Sequence, residues 1–166
     1  LLNIGGIANI TALPAGCGAQ EVSAFDSGPG NMLIDAAVEH FTQGAQHFDR
    51  DGERSALGVV DERLLAELMR HDFLEREPPK STGREEFGVQ LFNEILSTNK
   101  CGEHDLVTTL TEFTARSIAL ALERFVLPNI ALEEIWVAGG GVHNVQLMKR
   151  LGVALADQRV ASLAEL

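Results

Sequence analysis

The sequence predicts an α/β domain: a mixed sheet carrying a three-stranded antiparallel meander, with flanking helices and a helical insertion at about residues 44–103. Three observations predict it. Short apolar runs joined by turn residues fill the first 26 positions. A long segment of helical period runs from Asp105 to about Phe125. Glycine-rich stretches follow the first strand, the third strand and the strand ending at Ala138.

The chain opens on Leu1-Leu2-Asn3-Ile4-Gly5-Gly6-Ile7-Ala8-Asn9-Ile10-Thr11, which reads as strand, tight turn and returning strand. Gly-Gly suits the positive φ of a two-residue turn, and the bare backbone N–H groups of Gly5 and Gly6 suit phosphate oxygens. Asn3 and Asn9 flank the turn. Taken alone, the pattern is more often that of an ordinary hairpin. After the turn Pro14–Gly18, residues 21–26 predict a third strand with Val22 and Ala24 on one face.

Ser27-Gly28-Pro29-Gly30-Asn31 then leads into a helix marked by Met32, Leu33, Ala36, Ala37, His40 and Phe41, with Ser27 as the expected cap. Asp26 at the end of the strand, beside free helix N–H groups, would suit a phosphate or metal site. The alternative is a turn that needs glycine, with Asp26 bonded to backbone. Asp49-Arg50-Asp51-Gly52-Glu53 lacks the remaining positions of a calcium loop and is excluded as an EF-hand.

A helix from about Asp61 carries Leu64, Leu65, Leu68 and Met69 on one side. Beyond Pro78-Pro79, Lys80-Ser81-Thr82-Gly83-Arg84-Glu85 shares composition with a P-loop but not its order, and Ser81 or Thr82 would cap the next helix. The apolar row Leu106, Leu110 and Phe113 on the long helix is core. Glu133–Ala138 predicts a buried strand running into Gly139-Gly140-Gly141-Val142-His143-Asn144, with Asn144 capping a further helix and residues 158–161 a last strand. Three successive glycines let a ligand lie against the backbone. His143 beside them would either touch that ligand or cap and pack.

At 166 residues the chain is long enough for one domain with a buried core. The formal net charge of −11 argues against nucleic acid, whose backbone wants a basic face. Nucleotides remain admissible, because backbone N–H groups and a metal ion can hold them. No apolar run approaches the ~20 residues that cross a bilayer, and no signal peptide is evident. Cys17 and Cys101 lack metal or redox spacing and read as free thiols of a reducing compartment, hence the cytoplasm. No histidine pair has zinc-ligand spacing. The chain starts without Met, and a fragment of a longer protein is expected.

The order of elements and loops resembles the ribonuclease-H-like half domain of the sugar kinase, Hsp70 and actin superfamily (actin-like ATPases). Four blocks, residues 2–11, 25–31, 80–85 and 139–144, are similar to the signatures of the anhydro-N-acetylmuramic acid kinase family. That family opens a 1,6-anhydro sugar with water and phosphorylates its 6-oxygen with ATP, giving N-acetylmuramic acid 6-phosphate in peptidoglycan recycling.

The resemblance implies ATP binding by Asn3, Gly5, Gly6, Asn9, Gly139, Gly140, Gly141 and Asn144. It implies that Asp26, Gly28, Gly30, Asn31, Lys80 and Arg84 line the cleft for substrate or magnesium, with Asp26 a candidate magnesium ligand. The catalytic base is expected in a preceding half, so residues 1–166 would be the C-terminal half of a two-domain kinase, inactive alone. The implied partner is a small sugar, with no nucleic acid or membrane, and a homodimer is left open. Another actin-like sugar or acid kinase, or a nucleotide-binding module without turnover, are the competing readings.

Overall fold

The computed structural model describes residues 1–165; the expected domain end at residue 166 lies outside the described residues. Five strands form one sheet: β1 (Leu2–Ile4), β2 (Ile7–Ala12), β3 (Ser23–Pro29), β4 (Glu134–Ala138) and β5 (Arg159–Ser162). Their order is β3-β2-β1-β4-β5. The first three form the expected antiparallel meander, and β4 and β5 add in parallel beside β1, so the sheet is mixed. In β1 and β2 the even-numbered residues Leu2, Ile4, Ala8, Ile10 and Ala12 are buried, whereas Asn3 and Asn9 look away from the core.

Between β3 and β4 lie α1 (Met32–Phe41), α2 (Glu62–Leu68), α3 (Asp72–Glu75), α4 (Arg84–Phe87), α5 (Val89–Thr98) and α6 (Glu103–Phe125). Helix α7 (Val145–Ala154) connects β4 to β5. The 23-residue α6 holds the fold together. One side, with Ala115, Ile118 and Leu122, joins the sheet residues and Leu147 and Leu151 of α7 in one core cluster. Its other side, with Leu106, Leu110 and Phe113, joins Leu33, Leu65, Phe73 and Phe92 in a second cluster among the helices. The predicted apolar row is therefore core. Burial on two sides brings hydroxyls inside as well, and they bond to carbonyls: Thr111 to Val107, and Thr114 to Gly30 (2.8 Å each).

Three local expectations are corrected. Strand β3 spans Ser23–Pro29 rather than the expected 21–26, and its Phe25 faces the core, where it packs edge-on to Phe125 with centroids 5.9 Å apart. The register breaks at Ala8/Asn9, leaving Ser27 as the extra residue of a bulge. Strand β3 therefore runs through Pro29, and the Ser27 hydroxyl donates to the Ala8 carbonyl (3.1 Å) rather than capping α1. Gly83 stands at the N-cap of α4 and supplies no side-chain cap, so neither Ser81 nor Thr82 has that role. Asp61 does cap α2, accepting from the N–H groups of Arg63 and Leu64.

Candidate functional site

Three glycine loops meet at the carboxyl ends of β1, β3 and β4, and Asn31 lies at their junction. The Asn31 N–H donates to the Gly5 carbonyl (2.8 Å), and those of Gly30 and Met32 donate to the Gly6 carbonyl (2.9 and 3.1 Å). The Asn31 side chain reaches the Ile4 carbonyl (3.5 Å) and lies 3.7 Å from where a Cβ on Gly140 would stand. Residues 5–6, 28–31 and 139–141, distant in sequence, thus form one surface.

The glycines divide into two kinds. A Cβ on Gly30 would overlap the Gly5 carbonyl oxygen; one on Gly141 would stand 2.5 Å from Ile4 Cγ2. Gly139 has φ +86° with Ile4 O 2.5 Å from the Cβ position, and Gly28 (φ +155°) is crowded by Ser117 and Leu74. Packing within the chain demands these four. Gly5 and Gly140 are different: each has ordinary φ and nothing nearer than 3.7 Å to an added Cβ. At Gly6 the nearest atom, at 3.3 Å, is the flexible end of Met32. Nothing inside the chain requires glycine at 5, 6 or 140, and Gly6 and Gly140 are exposed.

The hydrogen bonds correct two expectations about phosphate donors. Gly5 and Gly6 do not adopt positive φ, and the Gly5 N–H turns back onto the Ile7 carbonyl (3.1 Å). At the amino end of α1 the hairpin carbonyls already accept from Gly30, Asn31 and the first helical N–H, that of Met32, which leaves only the following N–H groups of Leu33 and Ile34 for a ligand.

Beside this surface is a cavity of ≈ 620 Å³ between α1, the loop at 48–51 and the residues after β4; Asn31, Asp35, Phe48, Asp51, Gly140 and His143 line it. The volume suits a nucleoside-sized molecule. His143 is exposed there, and Phe48 offers a ring that is 54% exposed. Burial, with the charges of Asp49 and Glu39 nearby, pushes the Asp35 carboxyl up to about 7. Asn144 is 6% exposed. It caps α7 by accepting from the Leu147 N–H (3.0 Å) and donates to Asp49 (3.4 Å), so within the cavity wall it braces the loop. Another cavity, ≈ 550 Å³ in the α6–α7 groove around Glu112, Arg116 and Arg150, includes none of the glycine-loop residues.

The model of the anhydro-N-acetylmuramic acid kinase family matches residues 1–166. The chain belongs to that family. It is 41% identical over 163 residues to the anhydro-N-acetylmuramic acid kinase of Caldanaerobacter subterraneus subsp. tengcongensis, covering 96% of this chain and 41% of that one. It is 38% identical over 166 residues to the one from Clostridioides difficile (99% and 43% covered), and 42% over 159 residues to one from Bacillus cereus (95% and 41%). The chain thus spans about two fifths of the length of these curated relatives. In solved structures it is similar to the activator of the 2-hydroxyisocaproyl-CoA dehydratase from Clostridium difficile with bound ADPNP. The TM-score is 0.52 at 14% identity, over 97% of this chain and 52% of that one, a likeness of fold alone.

Within the chain, the remaining cleft candidates separate. Lys80 is 8% exposed and points inward: its ammonium donates to the carbonyls of Phe73 (3.1 Å) and Leu74 (3.4 Å) and sits over the Phe73 and Phe125 rings. Desolvation, with Arg124 and Arg76 nearby, lowers its pKa to about 8. That corrects its placement as a cleft cation; the open carbonyl end of α3 draws the amine in. Arg84 is exposed at the start of α4.

Asp26 is half-buried with both oxygens engaged, one by Asn9 Nδ2 (2.9 Å) and the other by the Thr82 N–H (2.8 Å). A lone carboxylate so committed does not fit a magnesium ligand, and among the described residues no three acidic, histidine or cysteine side chains cluster as a metal set. No helix among them is long and apolar enough to cross a membrane. Sequence reasoning missed Asp35 and Phe48. The one signal in the sequence is the acidic loop at 49–53.

Proposed function

We propose that this chain is the nucleotide-holding, C-terminal half of a two-domain kinase that hydrolyses 1,6-anhydro-N-acetylmuramic acid and phosphorylates it to N-acetylmuramic acid 6-phosphate. The observation that carries the reading is the meeting of three glycine loops beside a nucleoside-sized cavity, with glycine at 5, 6 and 140 where internal packing does not ask for it. A ligand lying against the backbone accounts for those three.

In this reading ATP places its phosphates at the Gly5–Gly6 turn and its nucleoside in the cavity, against Gly140 and His143. The likeness to a protein solved with ADPNP supports a nucleotide on this fold. Water adds to the anhydro carbon, the bond from that carbon to the 6-oxygen breaks, and the freed oxygen takes the γ-phosphoryl group as ADP leaves. Phosphoryl transfer needs positioned phosphates and an oriented nucleophile more than covalent help, which suits a site built of backbone. Magnesium would offset phosphate charge, but its ligands are not assigned to this chain, given how Asp26 is engaged. The base that activates water belongs to the other half, so the chain alone is inactive. The reaction is placed in the cytoplasm, which supplies ATP and suits the unpaired Cys17 and Cys101. Sedimentation of the full-length protein tests the homodimer that the family resemblance leaves open.

The test is incubation of the full-length protein with magnesium, ATP and the anhydro sugar, read by mass spectrometry. The expected product is heavier than substrate by one water and one phosphoryl group. ATP binding without that product would leave the nucleotide site standing and remove the sugar assignment.

A further inference from the structure

Asn3, Asn9 and Asp26 lie side by side across β1, β2 and β3, on the sheet face turned away from the core. The row continues off the sheet. Strand β3 is its edge, and residues 80–82 run along that edge: the Asp26 N–H donates to the Lys80 carbonyl (3.0 Å), and Asp26 Oδ2 accepts from the Thr82 N–H (2.8 Å). Its other oxygen accepts from Asn9 in the returning strand of the glycine hairpin (2.9 Å). Lys80 pins the same segment from beneath through the carbonyls of Phe73 and Leu74. Between these anchors the Thr82 hydroxyl is buried without a hydrogen-bond partner, while Ser81 and Arg84 are exposed.

We infer that Asp26 is a positioning residue: its carboxylate clamps the Ser81–Arg84 segment to the phosphate-side hairpin and holds that segment's hydroxyls and guanidinium for the sugar substrate. This rests on the functional reading above. Three features support it. The carboxylate bonds two N–H donors on different segments, which fixes their separation; charge-assisted bonds of this kind are the strong ones. The clamp adjoins the Ser27 bulge, the sort of irregularity that re-aims side chains beside sites. The Thr82 hydroxyl, buried without a partner, lies beneath a segment whose Ser81 and Arg84 stay exposed to a polyhydroxylated ligand. Mere covering of a sheet edge would need only the backbone bond to Lys80.

The test uses the full-length protein and three variants: D26A, D26N, and the exchange N9D/D26N. In the exchange the new amide at 26 donates to the carboxylate at 9 and accepts from Thr82, which restores both bonds. D26A is expected to speed hydrogen exchange at the Thr82 amide and raise the sugar KM roughly tenfold or more, the loss of one charge-assisted bond. The ATP KM and the magnesium half-saturation should stay within about twofold, as neither ligand is held by Asp26 in this reading. D26N should fall between, and N9D/D26N should return both readouts towards wild type. Unchanged Thr82 exchange and sugar KM in D26A would overturn the inference, as would a raised magnesium requirement or failure of the exchange to rescue a folded protein. If wild type does not phosphorylate the sugar, the functional reading fails on its own, while Thr82 exchange still reports the clamp.

Discussion

Replacing Gly30 with alanine separates glycines that the fold needs from those that a ligand needs. The added Cβ overlaps the Gly5 carbonyl oxygen and lies 3.0 Å from Ile7 C and 3.1 Å from Gly5 C. All three are backbone atoms, so no side chain can swing aside. Relief requires the hairpin turn to part from the start of α1, at the expense of the bonds from Gly30, Asn31 and Met32 to the Gly5 and Gly6 carbonyls. At about 1 kcal/mol for each of the three, the loss is about 3 kcal/mol. The entropy that alanine removes from the unfolded chain returns about 0.4–1 kcal/mol, leaving a net loss of about 2–3 kcal/mol. In the full-length protein, about two and a half times as long as this chain, that lowers Tm by about 2–4 °C. Gly5→Ala and Gly140→Ala meet only ordinary contacts and should melt within about 1 °C of wild type. Their effect should fall on binding, with ADP affinity down about tenfold or more where a methyl group stands in the ligand's place. Thermal melts followed by circular dichroism, with calorimetric titration of ADP, read both quantities on the full-length protein. The reasoning is refuted if G5A and G140A melt as low as G30A, or if they bind ADP as tightly as wild type.

Other expectations follow from single groups. Asp35 titrates near 7 in the folded chain against an ordinary 3.8, so the folded state holds the extra proton between those values and its contribution to stability falls as pH rises from about 4 to about 7. D35N should therefore be more stable than wild type at pH 8 by about 1 kcal/mol, after discounting for solvent screening, and not at pH 4; denaturant melts at the two pH values check this. Asn144→Ala removes a helix cap and the tie to Asp49, and should cost about 1–3 kcal/mol in the same melts. Burial and the Asp61 carboxylate push the Cys101 thiol up to about 12, so iodoacetamide at pH 8 should leave Cys101 unmodified in the folded protein and label it after unfolding, as peptide mapping would show.

Much of this architecture was legible in the residues. The hairpin at Gly5–Gly6, the long helix, the strand leading into Gly139–Gly141 and the cap at Asn144 all follow from local patterns of apolar period, glycine and cap residue. The misread parts depend on contacts that local pattern does not carry. A bulge at Ser27 decides which face of β3 is buried, and only pairing with β2 reveals it. Lys80 is drawn inward by the carbonyls of Phe73 and Leu74 in a four-residue helix too short to show a period. The Asp35 carboxyl is raised first by burial and then by the charges of Asp49 and Glu39, and the loop bearing Asp49 is tied to Asn144 by a bond that spans 95 positions. The glycine runs were visible, but which glycines serve the fold and which face outward could be told only from their neighbours in space.

The most direct test of the central claim is hydrogen exchange of the full-length protein with and without saturating ADP, resolved by peptide. The account predicts new protection at Gly5–Gly6 and across Gly140–Asn144. It predicts no change at the far end of the sheet, around Ala12–Leu13 and residues 131–134. Protection confined to the α6–α7 groove, or none in the glycine loops at saturation, would contradict it.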